Sequence, residues 1–143
     1  MSDKNKENIL MLVFVISTIA TAGSLYFSEI MKFEPCKLCW IQRIFMYPLP
    51  ILTGLAIIRK DYKQNVSFLF LTSIGLGFSI YHNIIKLIPK NYNVSCGQIS
   101  CITDYFSFMG FITIPLLSLV AFSLIEILLV YMILKERHFK IAA

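Results

Sequence analysis

The feature that most constrains this chain is its succession of long apolar runs. Ile9 to Phe27 carries no charged residue, and about 20 such residues are needed to cross the hydrocarbon core of a bilayer as a helix. Three further runs follow: Trp40 to Ile58, Val66 to Ile85, and Thr113 to Leu134. Composition agrees, since 57% of the residues are hydrophobic and only 15% are charged, too few to coat a soluble domain. The expectation is an all-α, integral membrane four-helix bundle forming a single domain over residues 1–143, with spans at 9–27, 40–58, 66–85 and 113–134. A signal peptide is the competing reading of the first run, because Ala20-Thr21-Ala22-Gly23 resembles a cleavage site. The run exceeds the usual apolar segment of about 7–15 residues, and Asp3 and Glu7 sit ahead of it.

The net charge of +5 does not point to nucleic acid, because no basic stripe with interleaved aromatics is present. The lysines flank the spans instead. Lys4, Lys6, Arg59, Lys60, Lys63, Lys135, Arg137 and Lys140 fall on one side, against Lys32, Lys37, Lys86 and Lys90 on the other. The positive-inside rule places the first group in the cytoplasm, so both termini are expected inside and two cysteine-bearing loops outside. In a four-span chain the first and third connectors emerge together. Cys36/Cys39 and Cys96/Cys101, all the cysteines of the chain, therefore share the oxidising compartment where disulfides persist.

Cys36-Lys37-Leu38-Cys39 opens the second span. A helix start offers unpaired N–H groups and a positive dipole end, which favour thiolate over thiol. If the helix runs from Cys36, then Cys36, Cys39 and Arg43 stand at i, i+3 and i+7 on one face. Three readings compete for the four cysteines: structural staples, a four-cysteine zinc site, and an electron relay between two disulfides. An arginine in a span costs about 2.5–3.5 kcal/mol at the bilayer centre and usually faces a partner or polar cavity, although snorkelling to headgroups is the bland alternative. Arg43 lies roughly 6 Å below Cys39, and His82 a comparable ~6 Å below Lys86 on the antiparallel third span. A cation and a hydrogen-bonding group beside a thiolate, just inside hydrocarbon, suit a lipid-soluble carbonyl acceptor such as a quinone. A lone membrane histidine is otherwise a helix-to-helix hydrogen bonder.

These residues resemble the DsbB family of membrane thiol oxidoreductases, most closely its BdbC branch from Gram-positive bacteria. The likeness rests on Pro35-Cys36-x-x-Cys39-x-x-x-Arg43, on Tyr81-His82, on the Cys96/Cys101 pair, and on Phe108-Met109-Gly110-Phe111 ahead of Pro115. It implies a multi-pass protein of the bacterial cell membrane that reoxidises an extracytoplasmic, thioredoxin-fold thiol oxidase of DsbA or BdbD type. Electrons would pass to a membrane quinone, menaquinone or ubiquinone. By the same resemblance Cys96 receives the partner's thiolate, Cys101 hands electrons to Cys36, and Cys39 contacts the quinone with Arg43 and His82 beside it. No metal site is expected with it. Only Gly97, Gln98, Ile99 and Ser100 separate the loop cysteines, so the whole connector is expected to move rather than one cysteine alone. Vitamin K epoxide reductase-like proteins share the plan, but their loop cysteines precede the Cys-x-x-Cys.

Four smaller expectations complete the sequence reading. Pro48 and Pro50 should break the second span's hydrogen-bond ladder. Ser73 and Gly77 are spaced as a small-residue packing face. Glu126 should pair with a polar neighbour. Tyr105 to Ile112 is expected as an aromatic interfacial helix.

Overall fold

The computed structural model describes residues 3–30, 32, 36–61, 64–87 and 114–141. Helix α1 (Asp3–Leu25) continues into a π-helical turn, Tyr26–Ile30; α2 is Lys37–Met46, α3 Pro48–Arg59, α4 Asn65–Leu87 and α5 Ile114–Ile141. Together these give four helical stretches long and apolar enough to cross a membrane: Lys4–Ile30, Lys37–Arg59, Asn65–Ile85 and Ile114–His138. The outer two overrun the predicted spans at the chain termini, and their overrunning ends meet in an ion pair, Lys6 Nζ to Glu136 Oε1 at 3.0 Å. The predicted interfacial helix and the Cys96/Cys101 connector lie outside the described residues.

The bundle is dressed for lipid. Large apolar side chains point outward, Ile58 at 79% exposure and Phe70 at 69% among them, while Ser17, Gln42, Thr53, Thr72, Ser79 and His82 are buried. A soluble core would not make that exchange. Several buried hydroxyls return to their own helix: Thr53 donates to Leu49 O at 2.6 Å and Thr72 to Phe68 O at 3.0 Å. The main apolar core gathers Leu10, Val13, Leu49, Phe68, Phe122, Ile125 and Leu129 from four helices.

The second span breaks where its prolines stand. Tyr47 caps α2, its N–H reaching Arg43 O at 2.9 Å, and Pro48 takes the first position of α3, where its missing N–H costs no helical bond. The two halves then choose different neighbours: α2 packs mainly on α4, and α3 on α1. That change of partner swings the cysteine end of the span towards α4.

The expected packing face at Ser73 and Gly77 is used only at its first position, where Ser73 donates to Glu126 of α5 at 2.6 Å. Ser73 is exposed, and a Cβ added at Gly77 would meet nothing within 4 Å. Gly75 is the close contact instead, since a Cβ there would lie 2.4 Å from Phe122 Cε1. The close approach of α4 to α5 therefore falls at Gly75 rather than at Gly77.

Candidate functional site

Cys36 is the N-cap of α2, with extended backbone (φ −66°, ψ 166°), and its Sγ accepts the Cys39 N–H at 3.4 Å. A sulfur thus does what a serine or aspartate oxygen does at an ordinary helix start. The i, i+3 spacing brings the Cys39 thiol back to the same place, with the sulfurs 3.0 Å apart and both cysteines free. Cys36 is buried and Cys39 half-buried. Cys36 and Leu38 pack with Ile85, and Phe45 stacks on Phe78 at 6.1 Å beneath them.

From α4, His82 enters this cluster fully buried, at 1% exposure, with Nε2 3.8 Å from Cys36 Sγ. Its other ring nitrogen lies 3.5 Å from the Gln42 amide. Behind the amide runs a polar chain. Ser118 Oγ sits 3.1 Å from Gln42, 2.8 Å from Pro115 O and 3.0 Å from Ser79 Oγ. Asn83 Nδ2 donates to Ser79 O at 2.8 Å and to Pro115 O at 3.0 Å. A serine hydroxyl has one proton and cannot donate to both the Gln42 amide and the Pro115 carbonyl. Amide oxygen and nitrogen are interchangeable at these positions. Turning the amide so that Nε2 donates to Ser118 and Oε1 accepts from His82 Nδ1–H satisfies every member. The imidazole then presents Nε2 to Cys36.

Electrostatics favour the Cys36 thiolate. Its pKa is held well below the ordinary thiol value, chiefly by the Cys39 thiol hydrogen bond, with burial opposing and the His82 contact and Cys39 N–H assisting. A thiolate so placed is poised for exchange.

Arg43 turns the other way. Its guanidinium donates to Ser28 Oγ at 3.1 Å and to Ser24 O at 3.2 Å, on the α1 side where the π-helical turn begins, and lies 5.8 Å from the Trp40 ring centre. The structure thus brings Cys36, Cys39 and His82 together and ties Arg43 to α1. It is Gln42, not Arg43, whose side chain meets His82. Cys96 and Cys101 lie outside the described residues. Gln42, Ser79 and Ser118 were not singled out from sequence; the available signal was a glutamine beside an arginine in an apolar helix, and a serine one turn before His82. Glu126 does find a polar neighbour, accepting from Ser73 Oγ at 2.6 Å.

A helical bundle shaped for a bilayer, carrying a free and closely spaced dithiol at a helix start, falls in the class of membrane thiol–disulfide oxidoreductases. The family profile "Disulfide bond formation protein DsbB" matches residues 6–132, and the chain belongs to that family. It is 45% identical over 127 residues to "Probable disulfide formation protein C 1" of Bacillus anthracis, covering 87% of this chain and 91% of that one. It is 42% identical over 126 residues to "Disulfide bond formation protein C" of Bacillus subtilis, covering 87% and 91%. A third relative, "SPbeta prophage-derived disulfide bond formation protein B" of Bacillus subtilis, is 40% identical over 142 residues, covering 98% and 95%. No solved structure matches the chain. The protein is a membrane oxidoreductase of disulfide formation.

Proposed function

We propose that the chain is a thiol:quinone oxidoreductase that reoxidises an extracytoplasmic thioredoxin-fold thiol oxidase of DsbA or BdbD type. The observation that carries this reading is the Cys36–Cys39 pair at 3.0 Å at the start of a helix long and apolar enough to cross a membrane. As a disulfide such a pair can take two electrons from a dithiol on the aqueous side, and as the resulting dithiol it can release them on the lipid side. The partner's dithiol reduces the Cys96–Cys101 disulfide, and that pair in turn reduces a Cys36–Cys39 disulfide. Each transfer is a thiolate attack on a disulfide sulfur that expels the other sulfur as thiolate.

A quinone, when bound, supplies the acceptor for two electrons and two protons. The donor set beside Cys39 fits such a group. Cys39 is the half-buried residue of the pair, and Arg43, one turn along α2 from it, uses one N–H of each of two nitrogens on Ser28 and Ser24, leaving further donors of its five. In this role Arg43 holds positive charge where a carbonyl oxygen gains electrons. His82, its Nδ1–H held by Gln42, takes the proton from Cys36 and keeps that sulfur as the thiolate. This reading requires the cysteine end of the second span to lie outside the cytoplasm, as the positive-inside rule suggests.

Reoxidation of a reduced thiol oxidase by the purified protein in the presence of quinone tests the proposal. Cys39→Ser should abolish turnover, and Arg43→Ala should slow it by roughly a hundredfold, the usual effect of deleting one electrostatic stabiliser. Normal turnover in either variant would overturn the assignment.

A further inference from the structure

Cys36 Sγ, Cys39 Sγ and His82 Nε2 all lie within 4.8 Å of one another. Two thiolates and an imidazole are the donors that zinc and other thiophilic d10 cations prefer. We propose that the reduced protein binds a single such cation, Zn2+ in the first instance, between Cys36, Cys39 and His82, and that the bound cation blocks disulfide exchange until it is removed. This departs from the metal-free site expected from sequence, and from the four-cysteine zinc alternative, because the third ligand is a buried histidine on α4.

The distances suit it. Tetrahedral zinc, with bonds of about 2.3 Å to sulfur and about 2.0 Å to nitrogen, sets S···S near ~3.8 Å and S···N near ~3.6 Å. The Cys36–His82 separation of 3.8 Å already meets the second requirement. The sulfurs, at 3.0 Å, must part by under about 1 Å, and Cys39 Sγ, within 4.8 Å of the imidazole nitrogen, must close on it by up to about 1 Å; both adjustments fall on the half-buried Cys39 thiol. The surroundings suit it as well. Gln42 stands 3.5 Å from His82 Nδ1, where an amide oxygen fixes the tautomer that leaves Nε2 free to ligate, as outer partners of metal-bound histidines generally do. Charge decides in the same direction: two thiolates and Zn2+ sum to zero, which a site at the edge of hydrocarbon tolerates far better than two adjacent thiolates.

Binding releases the protons still held by the two thiols and forms two Zn–S bonds and one Zn–N bond, with no change of oxidation state. A Cys36–Cys39 disulfide has no thiolate to offer, so cation binding and oxidation exclude each other. With three protein ligands, the fourth zinc position is left to water or another exchangeable ligand.

The full-length protein, reduced in detergent with a phosphine and titrated with Co2+ as a spectroscopic stand-in, should show a thiolate-to-cobalt band and tetrahedral ligand-field bands that saturate at a single equivalent. Zn2+ should displace them. The Cys96→Ser/Cys101→Ser variant should titrate like the wild type, while Cys39→Ser should lose the signal. His82→Ala, and His82→Gln as a volume-preserving control on folding, should each weaken binding at least roughly tenfold. Protein oxidised beforehand should bind nothing. Absence of the bands in the reduced wild type, undiminished binding in both His82 variants, or loss of binding in Cys96→Ser/Cys101→Ser would overturn the proposal, the last by showing a four-cysteine site.

Discussion

Cys36 carries two jobs that normally belong to different residues: it caps α2 and it is one sulfur of the dithiol. The cap hydrogen bond at 3.4 Å and the Cys39 thiol at 3.0 Å both address the same Sγ, and both favour its charged form. Below its pKa an ordinary thiol, with a pKa of about 8.5, loses thiolate tenfold per pH unit. Cys36, held well below that value, should therefore alkylate at a rate nearly flat across neutral pH and fall off only on strong acidification. The linkage has the same sign: with the folded pKa depressed, the reduced protein gains stability as pH rises towards the ordinary thiol range and loses it as pH falls. Mass spectrometry of iodoacetamide-treated protein between mildly acidic and neutral pH checks the first point, and a slope of tenfold per unit would refute it. Gln42→Leu removes the acceptor from His82 Nδ1 and leaves a buried N–H unpaired. It should cost about 1–3 kcal/mol of stability and steepen the alkylation profile; urea or dodecyl sulfate unfolding in detergent reads the first effect. The motif made Cys36 and Cys39 legible, whereas Gln42 carried no motif and acquired meaning only from what packed against it.

Among the elements, the break at Tyr47–Pro48 matters most. A straight second span would keep one neighbour along its whole length; the broken one leans on α4 above and α1 below, and the upper half brings the cysteines to His82. Prolines are conspicuous in sequence, so the break was readable, but not the direction of the swing. The small-residue pattern misled for a related reason. Gly77 with Ser73 has the spacing of a packing face, yet the helix turns Gly75 to α5, where a Cβ would fall 2.4 Å from Phe122. Gly75→Ala should destabilise by about 1–3 kcal/mol through overpacking, while Gly77→Ala, facing open space, should be neutral or slightly stabilising by helix propensity. Thermal unfolding of the two variants in detergent compares them directly, and an equal effect would show that the seam is misplaced.

For the whole molecule, the ion pair between Lys6 and Glu136 gathers the two terminal helix ends at the bundle end opposite the cysteines, and we propose from the lysine and arginine count that this end faces the cytoplasm. A C-terminal fluorescent fusion should accordingly be bright and a C-terminal alkaline phosphatase fusion inactive; the opposite pair of results would invert the topology and remove the thiols from the oxidising side. By itself the sequence determined the number of spans and the family likeness, because these depend on run length and local motif, neither of which needs a partner helix. The tertiary structure alone decided that Gln42 rather than Arg43 meets His82. Successive residues on a helix point about 100° apart, so depth in the membrane can be counted from sequence, but the face turned towards a neighbour is chosen by packing.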